Sequence, residues 1–328
     1  MVRVPTEVQA MKNRNIGINK DFVDQSLIAV SSLSNYTYCP RRLYLSQVKG
    51  IRKETSHSVA GKIEHDARRI ICPQLKHKYL KLTNNKQIVE FENRVFQIID
   101  RTMDYIRKVA FIEFPIFTPE IQFFIEELDY RLKSEEERRV QTLTNLFEMG
   151  KWNKSKIYHL LPWLVEHPVA SKDLQLKGRI DQVFLEEERA IPVDIKTTPY
   201  PFISREADAV QIGAYSLLLE KVWGREVRKG QIYYSRSFLH YDVRISDELR
   251  NKVIETRNCV RRILEMTKPP PPLEGHEALK CRFCYLRTEC QTETLINEEQ
   301  AEVNGLCKLF TDPAPGNLDS LFMEAKVK

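Results

Sequence analysis

Three thiols packed into ten residues near the end of a 328-residue chain constrain its fold more than any other feature: Cys281-x2-Cys284-x5-Cys290. Soft ligands at that spacing hold a tetrahedral metal or an iron–sulfur cubane only when a fourth thiolate joins them from elsewhere. Cys39, which follows a short helical stretch and precedes Pro40, is the best-placed fourth, with Cys72, Cys259 and Cys307 as rivals. On the residues alone, zinc and a [4Fe–4S] cluster are equal alternatives. The bland alternative for any one of these cysteines is a buried free thiol. With either metal, an N-terminal helix must come to rest against a C-terminal segment, forming a clamp that needs no redox role. The count of seven cysteines is odd, which argues for ligation or burial over disulfides in a reducing compartment.

Periodicity divides the chain. Residues 1–24 read as a polar leader without a targeting apolar run. Residues 25–75 read as an N-terminal helical part, with Ser32 capping a helix toward Cys39 and Pro40 opening the next. Val59, Ile63, Ala67 and Ile70 mark the buried stripe of a helix over 57–72. Residues 76–160 form a helix-rich block. Within it Ile121, Phe124, Ile125, Leu128 and Leu132 face inward, and Glu126, Glu127, Lys133 and Glu135 to Arg139 form a solvated face. Residues 161–268 turn extended. Strands are expected over 164–170, 174–185 and 190–197, the last two closing a hairpin through Glu186 to Glu188. A helix over 207–222, strands over 227–234 and 239–243, and a helix over 247–266 follow. Pro269 to Pro272 stiffens the entry to the cysteine segment, 269–292, and 293–328 is a polar tail. Helices around a mixed sheet give an α/β class. A hydrophobic content of 42% supports a proper core, and a net charge of +6 suits a polyanionic partner without requiring one. No stretch approaches the roughly 18 apolar residues of a membrane span, so a soluble, cytoplasmic protein without membrane contact is expected.

The extended region carries the chemistry. Asp181 ends Gly178-Arg179-Ile180-Asp181, and Asp194 begins Asp194-Ile195-Lys196 on the next strand of the hairpin. Pairing through the tight turn brings the two carboxylates together, as a hard hydrolytic cation needs. Lys196 shares the strand face of Asp194, where its ammonium can orient a water or hold a phosphate. The Ile195 side chain turns to the buried face, and its carbonyl is a further possible ligand. An Asp-x-Lys triplet alone is usually a surface ion pair, but Ile191, Val193 and Ile195 mark this strand as buried, where unpaired charge is costly. Gln211 and Tyr215 lie one turn apart on one helical face, able to orient the lysine, a water or a nucleic-acid backbone. His65, off its helix's core stripe and beside the small Gly61, is the candidate third ligand, better suited to manganese than magnesium. Glu166 is a weaker further candidate, and His159 and His167 read as structural. Tyr200, Phe202, Tyr233 and Tyr234 could stack bases, although core packing suits them better.

Taken together, Ser32 to Leu45 around Cys39-Pro40-Arg41-Arg42, His65, Gly178 to Asp181, Asp194 to Lys196, Gln211 to Tyr215 and the three late cysteines resemble the RecB-like branch of the PD-(D/E)XK nuclease superfamily. Within that branch they resemble the CRISPR-associated exonucleases numbered fourth among the Cas families. The resemblance implies a [4Fe–4S] cluster on Cys39, Cys281, Cys284 and Cys290. It implies Mn2+ or Mg2+ on His65, Asp181, Asp194 and the Ile195 carbonyl, with Lys196 as the catalytic lysine. It further implies cleavage of single-stranded or overhang-bearing DNA, commonly from the 5′ end, and trimming of DNA for the Cas integrase complex. The helical block at 76–160 departs from shorter family members and is read as an insertion, serving as a lid over DNA, a packing surface or an oligomer contact. Alternatives are a related iron–sulfur repair exonuclease and a non-catalytic DNA-binding or assembly subunit holding zinc or a cluster.

Overall fold

The computed structural model describes residues 24–297 and 326–327, apart from 85–86, 115–118, 154–155, 187–188 and 199–204. Residues 1–23 of the leader, most of the tail, Cys307, the Glu187–Glu188 turn, Tyr200 and Phe202 lie outside the described residues.

A short strand β1 (Ile28–Ala29) runs directly into α1 (Val30–Tyr38), so Ser32 is a buried helical residue and not the expected cap. Cys39 separates α1 from α2 (Pro40–Gln47), whose first position Pro40 occupies without losing a helical hydrogen bond. Helix α3 (Ser56–Tyr79) starts at a reciprocal cap in which Thr55 accepts from the Ser58 N–H and Ser58 accepts from the Thr55 N–H. Its inward line is Val59, Ile63, Ala67, Ile71 and Leu75. Ile71 takes the place expected of Ile70, because the helix runs two turns further than its early residues suggest and the longer stripe decides the facing. Helices α4 (Ile88–Glu113) and α5 (Pro119–Glu148) complete the helical block, and a single turn α6 (Ile157–Leu160) leads into the sheet.

The remaining elements are β2 (Leu164–Ser171), β3 (Leu176–Glu186), β4 (Arg189–Lys196), α7 (Arg205–Trp223), β5 (Lys229–Tyr234), β6 (Leu239–Arg244), α8 (Asp247–Glu265), a 3-10 stretch Gly275–Phe283, α9 (Arg287–Asn297) and β7 (Lys326–Val327). Strand order is β1-β3-β4-β5-β6-β7, with β2 on the other edge of β3. β1 and β4 run parallel to β3 and β5 respectively, and the other pairs are antiparallel. The expected hairpin is present, with Glu186 opposite Arg189. This is the expected α/β class: a mixed sheet flanked by helices. Among the described residues, no helix is long and apolar enough to cross a membrane.

Glycines set how closely α7 lies; a Cβ on Gly230 of β5 would stand 2.3 Å from Ile212 of α7. A Cβ on Gly178 of β3 would stand 2.7 Å from the Tyr215 ring, and one on Gly213 would stand 2.9 Å from Val253 of α8. A side chain at any of these points would push α7 off the sheet or off α8.

Two apolar cores result. One gathers the sheet with α1, α2, α7 and α8; the other gathers α3, α4 and α5. A buried charged network lies at the meeting of α3, α5 and β5. Arg68 donates to both oxygens of Glu135 at 2.8 and 2.7 Å and to Glu64 at 2.8 Å. The Tyr233 hydroxyl donates to Glu135 at 2.6 Å, and Tyr79 donates to Glu136 at 3.0 Å. Arg131 reaches Glu64 at 3.1 Å and the Ser235 hydroxyl at 2.5 Å. Glu135 and Glu136 are therefore buried, contrary to the solvated face expected of them. Periodicity alone cannot register that arginines and tyrosines on other elements wait for those carboxylates. Burial would raise the Glu135 pKa, but the Arg68 guanidinium outweighs it and holds the carboxyl down at about 2. Tyr233 is spent on the same network and is not available to stack a base.

Removing one partner from such a network strands the other charge in low dielectric. Arg131→Ala should cost about 3–5 kcal/mol in urea unfolding. A loss below about 1 kcal/mol, the worth of a surface pair, would show that the network does not brace the block.

Candidate active site

The strand pair β3/β4 stays in register from Glu186–Arg189 to Gln182–Val193 and then opens. At the opening, the carboxylate of Asp181 replaces the missing ladder partner: Oδ2 accepts the Ile195 N–H at 2.6 Å. β4 continues beside β5 through Lys196. On the far edge of β3, Val165–Gln182 and His167–Ile180 pair around Glu166, so Glu166 stands opposite Asp181. Glu166 has φ 49°, a left-handed backbone that costs a non-glycine residue about 1–3 kcal/mol and concentrates at functional sites. His65 of α3 completes the group. Its Nδ1 lies 2.8 Å from Glu166 Oε1 and 3.5 Å from Asp181 Oδ1. The three ligand atoms all fall within 4.8 Å of one another, the tightest such gathering of histidine, cysteine and carboxylate atoms among the described residues.

Beside this group sits the lysine. Lys196 Nζ is 2.8 Å from Asp194 Oδ2 and 3.2 Å from Asp208 Oδ1. Gln211 bridges the strand pair of charges, accepting from Lys196 at 3.0 Å through its carbonyl and donating to Asp194 Oδ1 at 2.7 Å through its amide. Tyr215 lies next to that amide, 3.4 Å away, and the Tyr234 hydroxyl donates to Asp208 at 2.8 Å. The Ile195 side chain faces the other way, into a small apolar cluster with Ile191, Val193 and Tyr233.

His65, Asp181, Asp194, Ile195, Lys196, Gln211 and Tyr215 thus lie in one neighbourhood, but with different company than anticipated. Glu166, ranked low from sequence, is closer to His65 than either aspartate. Asp208 was missed, although it precedes Gln211 by three residues and Tyr215 by seven, a helical face legible in the spacing. Gly61 gives no special clearance: a Cβ there would meet only Thr197 Oγ1 at 3.9 Å, an ordinary contact. His167 is buried and held down at about 4 by desolvation, a neutral structural residue as expected.

The charges are out of balance with their burial. Desolvation, then the neighbouring Asp194 charge, pushes Asp181 up to about 8. Asp194 is also raised, chiefly by burial and despite Lys196. Burial pulls His65 down, but Asp181 and Glu166 outweigh it and raise its imidazole to about 9. Lys196 is raised too, since the Asp194 and Asp208 carboxylates outweigh its desolvation. Several carboxylates converging on one lysine and one histidine make a pocket that favours added positive charge.

The cysteines form a second centre. Cys39, Cys281, Cys284 and Cys290 all line one cavity of about 690 Å³, with Tyr38 and Arg42 in its wall. Cys39 stands at the N-terminus of α2, where the N–H groups of Arg41 and Arg42 point at its sulfur, although burial pushes the thiol up to about 11. Arg41 Nε donates to Cys290 Sγ at 3.2 Å and its Nη1 donates to the Pro270 carbonyl at 2.7 Å. Tyr38 and Tyr44 donate to the carbonyls of Lys280 and Thr267 at 2.6 and 2.9 Å. The rivals Cys72 and Cys259 are buried elsewhere, against Gln182 and Arg262.

A profile of the PD-(D/E)XK nuclease superfamily matches residues 27–291. Among curated proteins, a CRISPR-associated exonuclease Cas4/endonuclease Cas1 fusion of Leptospira interrogans is 27% identical over 40% of this chain and 25% of its own length. The CRISPR-associated exonuclease Cas4 of Francisella tularensis subsp. novicida is 26% identical over 35% of this chain and 57% of its own. That of Aeropyrum pernix is 30% identical over 39% of this chain and 65% of its own. The matched segments cover less than two thirds of each relative. The superfamily profile, by contrast, takes in both centres and every strand from β1 to β6, and the chain belongs to the PD-(D/E)XK nuclease superfamily.

Proposed function

We propose that this chain is a divalent-metal-dependent DNA exonuclease that prefers single strands, cuts from the 5′ end and is latched by a [4Fe–4S] cluster. The convergence of His65, Glu166 and Asp181 within 4.8 Å, beside the Asp194–Lys196 pair, carries this reading. His65, Glu166, Asp181 and Asp194 would hold the cation, with the Ile195 carbonyl as a further oxygen. This donor set of hard oxygens and one imidazole suits Mn2+ and Mg2+, and carboxylates whose pKa values burial and neighbouring acids push up are in excess until a cation joins them. When bound, the cation supplies Lewis acidity and neutralises charge at the scissile phosphate.

The chain's own residues do the rest. Lys196, kept protonated by Asp194 and Asp208, acts as a fixed positive charge toward the phosphate as its negative charge builds, not as a base. Gln211 is a positioning residue: its amide holds Lys196 and Asp194 in one plane of hydrogen bonds. Asp208 and Tyr234 support the lysine from behind. Tyr215 fills the space above Gly178 and closes that wall.

For the second centre, a zinc ion draws its sulfurs close, with bonds of about 2.3 Å. Here no three of the four sulfurs meet within 4.8 Å among the described residues, and they ring a cavity of about 690 Å³ instead. That spacing favours a cubane over a single zinc ion. The role in trimming DNA for an integrase is supported by the printed name of the Leptospira relative, which joins such an exonuclease to Cas1.

Asp194→Ala and Lys196→Ala should each abolish Mn2+-dependent cleavage of end-labelled single-stranded DNA, by at least about 100-fold, while sparing binding. Labels at both ends read the polarity. Wild-type cleavage in both variants would refute this site as the seat of the chemistry. Because His65 is raised to about 9 and Asp181 to about 8, the cation-free site holds protons below those values, and Mn2+ must displace them. Mn2+ affinity should therefore rise with pH toward 8–9 and weaken below, with proton release visible calorimetrically in buffers of different ionisation enthalpy. A pH-independent affinity would remove these residues from the ligand set. Cys281→Ser should bleach the broad visible absorbance of anaerobically purified protein and lower its melting temperature. A colourless wild-type protein carrying zinc would overturn the cluster.

A further inference from the structure

The helical block carries a polar feature that the active site does not use. On α4, Arg94, Gln97, Arg101, Tyr105, Lys108 and Ile112 follow one another at steps of three or four residues, so they share one face. All six are exposed, Tyr105 at 56% and Ile112 at 80%. The face is about 27 Å long at 1.5 Å per residue. At its far end, Gln74, His77 and Lys78 of α3 join Arg94, Gln97 and Arg101 around an open cavity of about 540 Å³. No carboxylate lines that cavity. The nearby acids are already engaged: Glu90 pairs with Arg94, and Asp104 pairs with Arg107 at 2.8 Å. Lys78, Arg101 and Lys108 make no ion pair among the described residues, so their charge faces solvent. Part of the Lys78 charge offsets the negative end of α3, but that end needs no cations on α4.

The C-terminal end of α4 lies beside the part of α3 that carries His65. Glu113, the last residue of α4, takes Lys62 of α3 at 3.3 Å, and Lys62 precedes His65 by one turn. Its neighbour Gly61 lies against Thr197, the residue after Lys196.

We propose that this face of α4, with the cavity it shares with α3, is a track for single-stranded DNA. Lys78, Arg101 and Lys108 hold successive phosphates, and Tyr105 stacks a base between them. A run of cations whose neighbouring acids are already paired, with an exposed aromatic among them, suits an unpaired strand, which presents a line of negative charges with free π-faces. A duplex presents the charges without the faces. The track deepens the nuclease reading and rests on it for its direction, while its binding is measurable without cleavage.

The test is binding of a fluorescent oligothymidine of roughly 20 nucleotides to the full chain in EDTA, titrated across salt concentration. The triple variant Lys78→Ala, Arg101→Ala, Lys108→Ala should bind at least tenfold more weakly at low salt. Its slope of log affinity against log salt should be shallower by about 2, as expected for three lost phosphate contacts on a single strand. Restoring charge with Arg101→Lys in place of Arg101→Ala should recover about a third of that slope. Tyr105→Ala should weaken binding about tenfold with the slope unchanged, and Tyr105→Phe should not. Arg101, Tyr105 and Lys108 are exposed and Lys78 is half-buried at the cavity rim, so melting temperatures should stay close to wild type. Unchanged affinity and slope in the triple variant would overturn the track and leave a solvated helix face. Equal losses for duplex and single strand would overturn its commitment to unpaired DNA. If Asp194→Ala cleaves like wild type, the active-site reading fails, whereas the track stands or falls on these binding curves.

Discussion

One hydrogen bond decides the shape of the active site: the Asp181 carboxylate accepts the Ile195 N–H at the point where β3 and β4 separate. A strand pair that simply ended would leave that donor buried and unmet, at a cost comparable to a lost hydrogen bond. A strand pair that continued would zip the pocket shut. By taking over the ladder's role, the side chain lets the two strands part and still pays the backbone its due. It also fixes Asp181 Oδ1 toward His65 and sends β4 on to β5 with Asp194 and Lys196 on its open side.

What surrounds this bond explains why the polar groups can survive in so buried a place. Asp194, Gln211, Lys196 and Asp208 form a closed chain in which every charge meets an opposite charge or an amide. Behind it, Arg131, Glu64 and Ser235 tie the helical block to the strand end, because the Ser235 N–H donates to the Lys196 carbonyl at 3.0 Å. Glu64 and His65 are sequence neighbours that face opposite tasks, one into the brace and one into the pocket. The block is thus joined to the sheet by polar contacts whose geometry is directional, in contrast to the apolar packing inside each core.

Much of this was legible in the residues. The alternation of Ile191, Val193 and Ile195 identified a buried strand, and the Glu-rich turn before it identified the hairpin, so Asp181 and Asp194 could be brought together on paper. The same reasoning found the four cysteines of one cavity and set aside Cys72 and Cys259. It failed where the outcome depends on distant partners. Glu135 and Glu136 look like solvated helix charges until Arg68, Tyr233 and Tyr79 are brought against them. Glu166 looks like an edge-strand acid until its backbone turns left-handed opposite Asp181. Asp208 was readable in the spacing of α7 but not in its chemistry, since nothing local announces a lysine arriving from another strand.

The stitching of Tyr38, Arg41 and Tyr44 onto residues 267–290 has a temporal corollary. During synthesis, the first two helices leave the ribosome early, whereas their anchoring carbonyls and the last three thiols emerge after every strand from β1 to β6. The sheet can assemble before its seal exists, and newly made chains must pass through a period in which Cys39 waits, uncovered, for its distant companions. Chains caught in that interval have a formed sheet but an α1–α2 pair and a 267–290 segment not yet joined, the form most open to proteases.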